Sequence, residues 1–178
     1  MNKKIFSIIL ALAMSTGVCV SASAATEESV SAKVAIVPGD KITIKDDTVW
    51  EENGNTYELL EGDVLGVCCD TVNQNARSTS SKITAEHYGK RQTDGVNNRQ
   101  RVVAETRATE TVTKNGNTSS KYVNSYSVAR YEWLWSVIVT SGKQWSSGNS
   151  YWSYAATDWM DYSSARDIQA RTYWGTEA

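Results

Sequence analysis

The chain is poor in four residue types: it has one proline, one histidine, one phenylalanine and three cysteines among 178 residues. A single histidine excludes a zinc site built mainly from histidines. The one phenylalanine, Phe6, lies in the N-terminal leader described below, so we expect tryptophan and tyrosine to supply much of the volume of the core. Apolar residues at 40% and charged residues at 21% nevertheless exclude a wholly disordered protein.

The cysteines exclude a long-range disulfide within one chain. Cys19 lies in the leader, and Cys68 and Cys69 are adjacent in sequence. Adjacent cysteines on a strand point to opposite faces, so they rarely pair. Three interpretations remain open: buried thiols, a strained disulfide between neighbours, or pairing between molecules. Zinc binding by these two cysteines and His87 would need a fourth ligand from elsewhere.

The N-terminus has the pattern of a secretory leader. Lys3 and Lys4 precede an apolar stretch from Ile5 to Val20, and Ala22-Ser23-Ala24 offers the small residues that signal peptidase accepts. A membrane anchor is the alternative, but the uninterrupted apolar run is short for a bilayer of about 30 Å. We predict that residues 1–25 are a cleaved signal peptide. The expected product is a secreted, extracellular protein from a Gram-positive bacterium, with no membrane span after cleavage.

Charge divides the rest of the chain unevenly. Residues 26–70 carry 11 acidic and 3 basic side chains, whereas residues 71–178 carry 9 acidic and 13 basic ones. This asymmetry suits an acidic segment that packs on, or shields, a basic domain, although ordinary surface charge would also explain it.

A polar stretch at 73–81, rich in small residues, predicts a linker or long loop. We therefore predict an acidic N-terminal segment at 26–77 with short strands and an aromatic-rich antiparallel β domain at 78–178. The first is either partly ordered or a pro-segment removed by cleavage after Arg77.

Alternating apolar and polar residues predict an all-β fold, an antiparallel β-sandwich or a partly open barrel. Asn53-Gly54 between β-prone runs predicts a hairpin, and the same turn recurs at Asn115-Gly116. Alternation predicts a half-buried strand over 99–114, with Val102, Ala104, Thr106 and Ala108 on one face. Further strands are expected over the ranges 33–37, 41–45, 48–51, 56–59, 121–140 (broken near Ala129), 149–157 and 166–174, and Tyr131, Trp133, Trp135, Val137 and Val139 are expected to share one face.

Aromatic residues are concentrated near the C-terminus: 13 of the 53 residues from Tyr122 to Trp174 are Tyr or Trp. Some of them must fill the core. Others fall on both faces of the last strands, so we expect part of them to be exposed, as at binding surfaces that stack rings on sugars. The predicted ligand-binding residues are Tyr151, Trp152, Trp159 and Tyr173.

Catalytic patterns are weak, and we predict no enzyme, no catalytic residues, no metal site and no cofactor. The segment Glu86-His87-Tyr88 is polar, lacks a nucleophile elbow nearby and suggests a surface histidine. Asp158 and Asp161 could form a carboxylate pair, but they lie in a turn-like segment where acids are common. No phosphate-binding loop, EF-hand or nucleic-acid motif is present in the sequence, so no nucleic-acid partner is expected.

The C-terminal strands, with Tyr151-Trp152-Ser153-Tyr154-Ala155 and Ala170-Arg171-Thr172-Tyr173-Trp174-Gly175, resemble the small β-sandwich bacteriocins of the lactococcin 972 type. This chain is far longer than those peptides. The resemblance implies an antibacterial effector as the alternative function. The preferred prediction is a non-catalytic module that binds cell-wall or other glycan through Tyr and Trp, with its oligomeric state left open.

Overall fold

The computed structural model describes residues 34–68 and 80–177, and nearly all of its regular structure is strand. The strands are, in chain order, β1 (Val34–Ile36), β2 (Ile42–Thr43), β3 (Thr48–Glu52), β4 (Asn55–Leu59), β5 (Val64–Cys68), β6 (Ser80–Asp94), β7 (Arg99–Lys114), β8 (Asn117–Val123), β9 (Ser125–Trp133), β10 (Ser136–Thr140), β11 (Gln144–Trp145), β12 (Ser153–Ala156), β13 (Met160–Asp161) and β14 (Gln169–Thr176). A helix of five residues, α1 (Tyr162–Arg166), precedes β14. The predicted all-β class is confirmed; the predicted leader, Cys69 and the cleavage point at Arg77 lie outside the described residues.

The strands form two sheets that do not close into a barrel. The first sheet has the order β12-β7-β6-β4-β3, with β1 on β6 and with β8 and β13 on β7. The second has the order β10-β9-β14-β5-β2, with β11 on β9. All pairs are antiparallel except β5 with β14, which run parallel. The prediction of a purely antiparallel fold is therefore wrong for this one pair, because β5 and β14 come from distant parts of the chain and no hairpin connects them.

The core lies between the two sheets. Val102 and Ala104 of β7 pack with Ala129 and Tyr131 of β9, and Trp174 of β14 packs with residues of the first sheet. The alternation predicted for β7 is confirmed, since Val102, Ala104, Thr106 and Ala108 are all buried. Small residues at these positions let the sheets approach while a few large aromatic rings fill the space between them.

The predicted face of residues 131–139 is wrong. The chain reverses at Leu134 and Trp135, so that Ser136 lies opposite Trp133. Tyr131 is buried in the core, but Trp133 and Trp135 are exposed to solvent. The predicted break near Ala129 does not occur either, since β9 runs unbroken from Ser125 to Trp133. The turn at Leu134-Trp135 was not predicted, because Leu-Trp is not a residue pair that sequence rules associate with a turn.

Residues of the acidic N-terminal segment contribute strands to both sheets. In the first sheet, β4 pairs with β6 and carries β3. In the second, β5 lies between β14 and β2. The described part of the segment, residues 34–68, is therefore integrated with the aromatic-rich part of the chain.

Candidate functional site

Three of the four predicted site residues lie on one surface, the side of the first sheet that faces away from the second, here called the outer face. Tyr151 and Trp152 precede β12, and Trp159 follows it; all three are half-buried. Tyr173 lies instead on the outer side of the second sheet, in β14. The structure thus brings Tyr151, Trp152 and Trp159 to a shared surface and separates them from Tyr173.

Trp152 belongs to a cluster of rings around one arginine, here called the Arg107 cluster and made of Tyr88, Arg107, Tyr122, Tyr151 and Trp152. The Arg107 guanidinium lies 4.5 Å from the Tyr122 ring and 4.8 Å from the Trp152 ring. Tyr88 packs on Trp152 at 5.5 Å, and Tyr151 packs on Tyr122 at 5.8 Å. Cation–π and ring contacts of this kind fix the orientation of the rings on the sheet.

The Arg107 cluster has an exposed margin and a neutralised charge. Tyr122 is 45% exposed, and Tyr154, which follows Trp152 by two residues on the same face, is 52% exposed. Arg107 donates a hydrogen bond of 2.6 Å to the Glu86 carboxylate. The surface therefore offers flat rings beside a paired cation and anion.

Trp159 lies between β12 and β13, beside the part of β7 near Arg99 and Arg101. Its ring is 4.7 Å from the Arg99 guanidinium and 4.5 Å from that of Arg101. Arg99 and Arg107 are eight residues apart on β7, which is roughly 26 Å at strand spacing. Trp159 and the Arg107 cluster therefore form two separate aromatic points on one elongated face.

Tyr173 makes a different set of contacts. Its hydroxyl donates a hydrogen bond of 2.6 Å to Glu132, and the Arg130 guanidinium lies 4.7 Å from its ring. Partial burial and the bond to Glu132 raise the pKa of Tyr173 above its usual value. This residue is engaged in an ion-pair network of the second sheet.

No family model, curated protein or solved structure matches this chain.

The single histidine, expected on the surface, is instead buried at 2% exposure, which corrects the sequence interpretation. Its Nδ1 and Nε2 atoms lie 2.8 and 2.7 Å from the hydroxyl oxygens of Thr106 and Thr172. Burial lowers the pKa of His87 to about 3, so the ring is neutral at pH 7. A buried neutral ring with both nitrogens engaged has the character of a structural group inside the sandwich.

The other candidate chemical groups also have structural contacts. Asp161 caps α1 by accepting hydrogen bonds from the backbone amides of Ser163 and Ser164. Within 34–68 and 80–177, no three His, Cys, Asp or Glu side chains are grouped so as to hold a metal ion. Over the same ranges, no helix is long and apolar enough to cross a membrane.

Sequence reasoning missed four residues of the outer face: Tyr88, Arg107, Tyr122 and Tyr154. Tyr88 was missed because β6 carries His87 and Arg91 on its inner side, and polar inner residues hide the period-two pattern. The other three follow from how the strands pair. Arg107 lies opposite Glu86, Tyr122 opposite Thr109 and Tyr154 opposite Glu105. The signal that could have found them is the alternation on either side of Thr106.

Proposed function

We propose that the protein is a secreted, non-catalytic module that binds a glycan, of the cell wall or another polysaccharide, along the outer face of the first sheet. The observation that carries this proposal is the Arg107 cluster, whose rings, among them the exposed Tyr122, are held in place beside the exposed Tyr154. Flat rings that keep a fixed orientation suit the C–H faces of sugars, and ordering them in advance lowers the entropic cost of binding.

The charges of this face favour an uncharged polymer. Three of its cations have acidic partners: Arg107 with Glu86 at 2.6 Å, Lys90 with Glu52 at 3.2 Å and Arg99 with Asp94 at 2.9 Å. A fourth, Arg101, donates a hydrogen bond to the side-chain amide of Gln92. A nucleic-acid surface needs cations free to contact phosphates. The paired side chains of this face can still exchange hydrogen bonds with the hydroxyl groups of a sugar, and the rings can contact its C–H faces.

The length of the face favours a chain of several sugars. Trp159 and the Arg107 cluster are separated by much of β7, and the Trp50–Tyr57 stack, with ring centroids 5.8 Å apart, lies across the same sheet on β3 and β4. A single sugar can touch only one of these points. We therefore expect affinity to rise with the length of the oligosaccharide.

The test is binding of the purified protein to Gram-positive cell-wall sacculi and to insoluble polysaccharides, with soluble sugars as competitors. Tyr154→Ala and Trp152→Ala should each weaken saturable binding by roughly five- to thirty-fold, given about 1–2 kcal/mol for a stacked ring. Trp159→Ala should weaken binding of long glycans more than that of short ones. Tyr154→Ala is the cleanest variant, because its exposed side chain contributes little to folding.

The matched control is Trp145→Ala, which removes a 44% exposed tryptophan from the second sheet. It should leave glycan binding unchanged. Two results would contradict the proposal. One is the absence of saturable binding to every polymer. The other is that Tyr154→Ala and Trp152→Ala are folded and bind glycan as tightly as the wild type.

A further inference from the structure

Three hairpins of this protein close on two-residue loops in which φ is positive at both positions. Both central residues have positive φ at Asn53-Gly54 (51° and 76°), at Asn115-Gly116 (52° and 79°) and at Leu134-Trp135 (44° and 73°). Asn-Gly is the favoured pair for such turns, because asparagine and glycine tolerate positive φ. Leucine and tryptophan rarely adopt it, so the third turn carries backbone strain that the other two lack.

Burial does not explain these two residues. Leu134 is 78% exposed and Trp135 is 83% exposed. Trp133, Val137 and Ile138 beside them are about half exposed, so five large apolar side chains, here called the hairpin tip (133–138), lie together in solvent. A strained turn that exposes tryptophan and leucine costs stability twice, which indicates a selected surface.

We propose that the hairpin tip inserts into the interfacial layer of a lipid bilayer with anionic headgroups. The residues from Trp133 to Gly142 contain no charged side chain, so insertion would desolvate no ion. Tryptophan pairs an apolar ring with an N–H donor and is enriched at the level of lipid headgroups. The insertion is peripheral and involves only the tip.

Positive charge flanks the tip where headgroups would lie. Arg171 stacks over the Trp135 ring at 5.2 Å, and Arg130 lies on β9, three residues before Trp133. Glu132, the acid between these arginines, is 6% exposed and lies 3.8 Å from Arg130 and 3.3 Å from Arg171. The two arginines against the one buried acid that they contact leave a net positive charge behind the tip, here called the cationic collar, which complements anionic lipid.

A protein partner fits these observations less well. The free edge of β10 is interrupted by a register shift between Val137 and Val139, and bulges of this kind disfavour edge-to-edge pairing. A stable protein interface needs about 20–30 residues on each side, whereas the tip offers five apolar side chains. A convex, uncharged tip with a cationic collar is better matched to a lipid surface.

The test measures partition of the whole chain onto vesicles of phosphatidylcholine, with and without phosphatidylglycerol, by flotation and by quenching of tryptophan emission with brominated lipid. The informative variant is Leu134→Asn/Trp135→Gly, which installs the turn pair found in the other two hairpins. It should lower vesicle partition by at least about ten-fold, from the lost transfer of two large apolar side chains. The same variant should unfold at a higher temperature, because its turn is relaxed, so lost binding cannot be ascribed to misfolding.

Trp145→Ala is the matched control, since it removes an exposed tryptophan away from the tip; it should partition like the wild type. Anionic lipid should strengthen binding, and Arg171→Gln should reduce that increment. The proposal is overturned if the wild type binds neither vesicle or if the relaxed-turn variant binds as well as the wild type. It is also overturned if the wild type self-associates in solution through the tip and only the variant is monomeric. This proposal does not depend on glycan binding, because the two sites lie on different sheets and their variants differ.

Discussion

The acidic N-terminal segment and the aromatic-rich remainder differ in charge and composition, and ion pairs between acids of the first and bases of the second connect them. Arg91 of β6 forms a buried ion pair with Asp63 at 2.7 Å. Lys90 pairs with Glu52 at 3.2 Å. Arg166 of α1 pairs with Asp47 at 3.4 Å and with Glu58 at 3.6 Å. At least four of the eleven acidic residues of the segment therefore have basic partners in the rest of the chain.

The buried pair between these two regions is unusually well satisfied. Arg91 Nε and Nη2 donate to the two carboxylate oxygens of Asp63, and Nη1 and Nη2 also donate to the carbonyls of Ala165 and Ile168. Both side chains are 1% exposed. A bidentate arginine–carboxylate pair whose remaining N–H groups are also hydrogen-bonded permits one geometry. This contact therefore fixes the position of the N-terminal segment relative to the rest of the chain.

The largest expected effect follows from separating the two regions. A chain that begins at residue 78 lacks β1–β5 and should show no cooperative unfolding transition, because Arg91 loses Asp63 and β14 loses its parallel neighbour. Circular dichroism and urea unfolding of 78–178, beside 26–178, would measure this. A cooperative transition in the shorter chain, above all with growth inhibition of other bacteria, would favour the pro-segment hypothesis and the bacteriocin alternative.

The next effect comes from breaking the buried pair within the whole chain. Arg91→Met should lower the free energy of unfolding by about 3–5 kcal/mol, because it leaves the Asp63 carboxylate buried without its counter-ion. Urea unfolding at unchanged denaturant slope is the measurement. Glu52→Gln is the matched control: it breaks the other β6 pair across the same boundary, but Glu52 is 50% exposed, so the loss should be about 0–1 kcal/mol. Equal losses in both variants would mean that burial does not distinguish the two contacts.

The smallest effect is graded with pH and comes from His87, the only histidine. Its pKa is about 3 in the folded chain against an ordinary 6.5, so below pH 6.5 the unfolded chain binds a proton that the folded chain does not. The contribution of His87 to the free energy of unfolding is therefore fully present above pH 6.5. It falls by up to about 1.4 kcal/mol per pH unit as the pH drops toward the pKa of His87 in the folded chain. Urea unfolding between pH 6.5 and about 5, above the carboxylate range, would isolate this slope. A flat profile there would mean that the ring is protonated in the fold.

Sequence patterns predicted the fold correctly where apolar and polar residues alternate regularly along a strand. In β7, buried residues at Val102, Ala104 and Ala108 alternate with mostly half-buried polar ones, and the strand lies where expected. The Asn-Gly turns at 53–54 and 115–116 close hairpins as their dihedral preference requires. Local chemistry is sufficient in such places, because each residue's own preference agrees with the tertiary structure.

Patterns failed where a contact distant in sequence decided the outcome. The inner side of β6 holds His87 and Arg91, which look like surface residues until Thr172 and Asp63 are placed beside them. Of the predicted site residues, Tyr151, Trp152 and Trp159 share one face, but Tyr173 lies on the other sheet. The last strands carry aromatics on both sides, and only pairing decides which side meets the core.

The sequence alone determined that this chain forms strands, where two of its hairpins turn and that the aromatic residues of its core are tryptophan and tyrosine, because these depend on local dihedral preference, period and composition. Only the tertiary structure decided that the acidic segment shares both sheets with the rest of the chain, because the parallel pairing of β5 with β14 and the Arg91–Asp63 contact join residues far apart in sequence. It also decided that Trp133 and Trp135 leave the core, since a Leu-Trp turn is adopted only when the rest of the sandwich holds the strands in register.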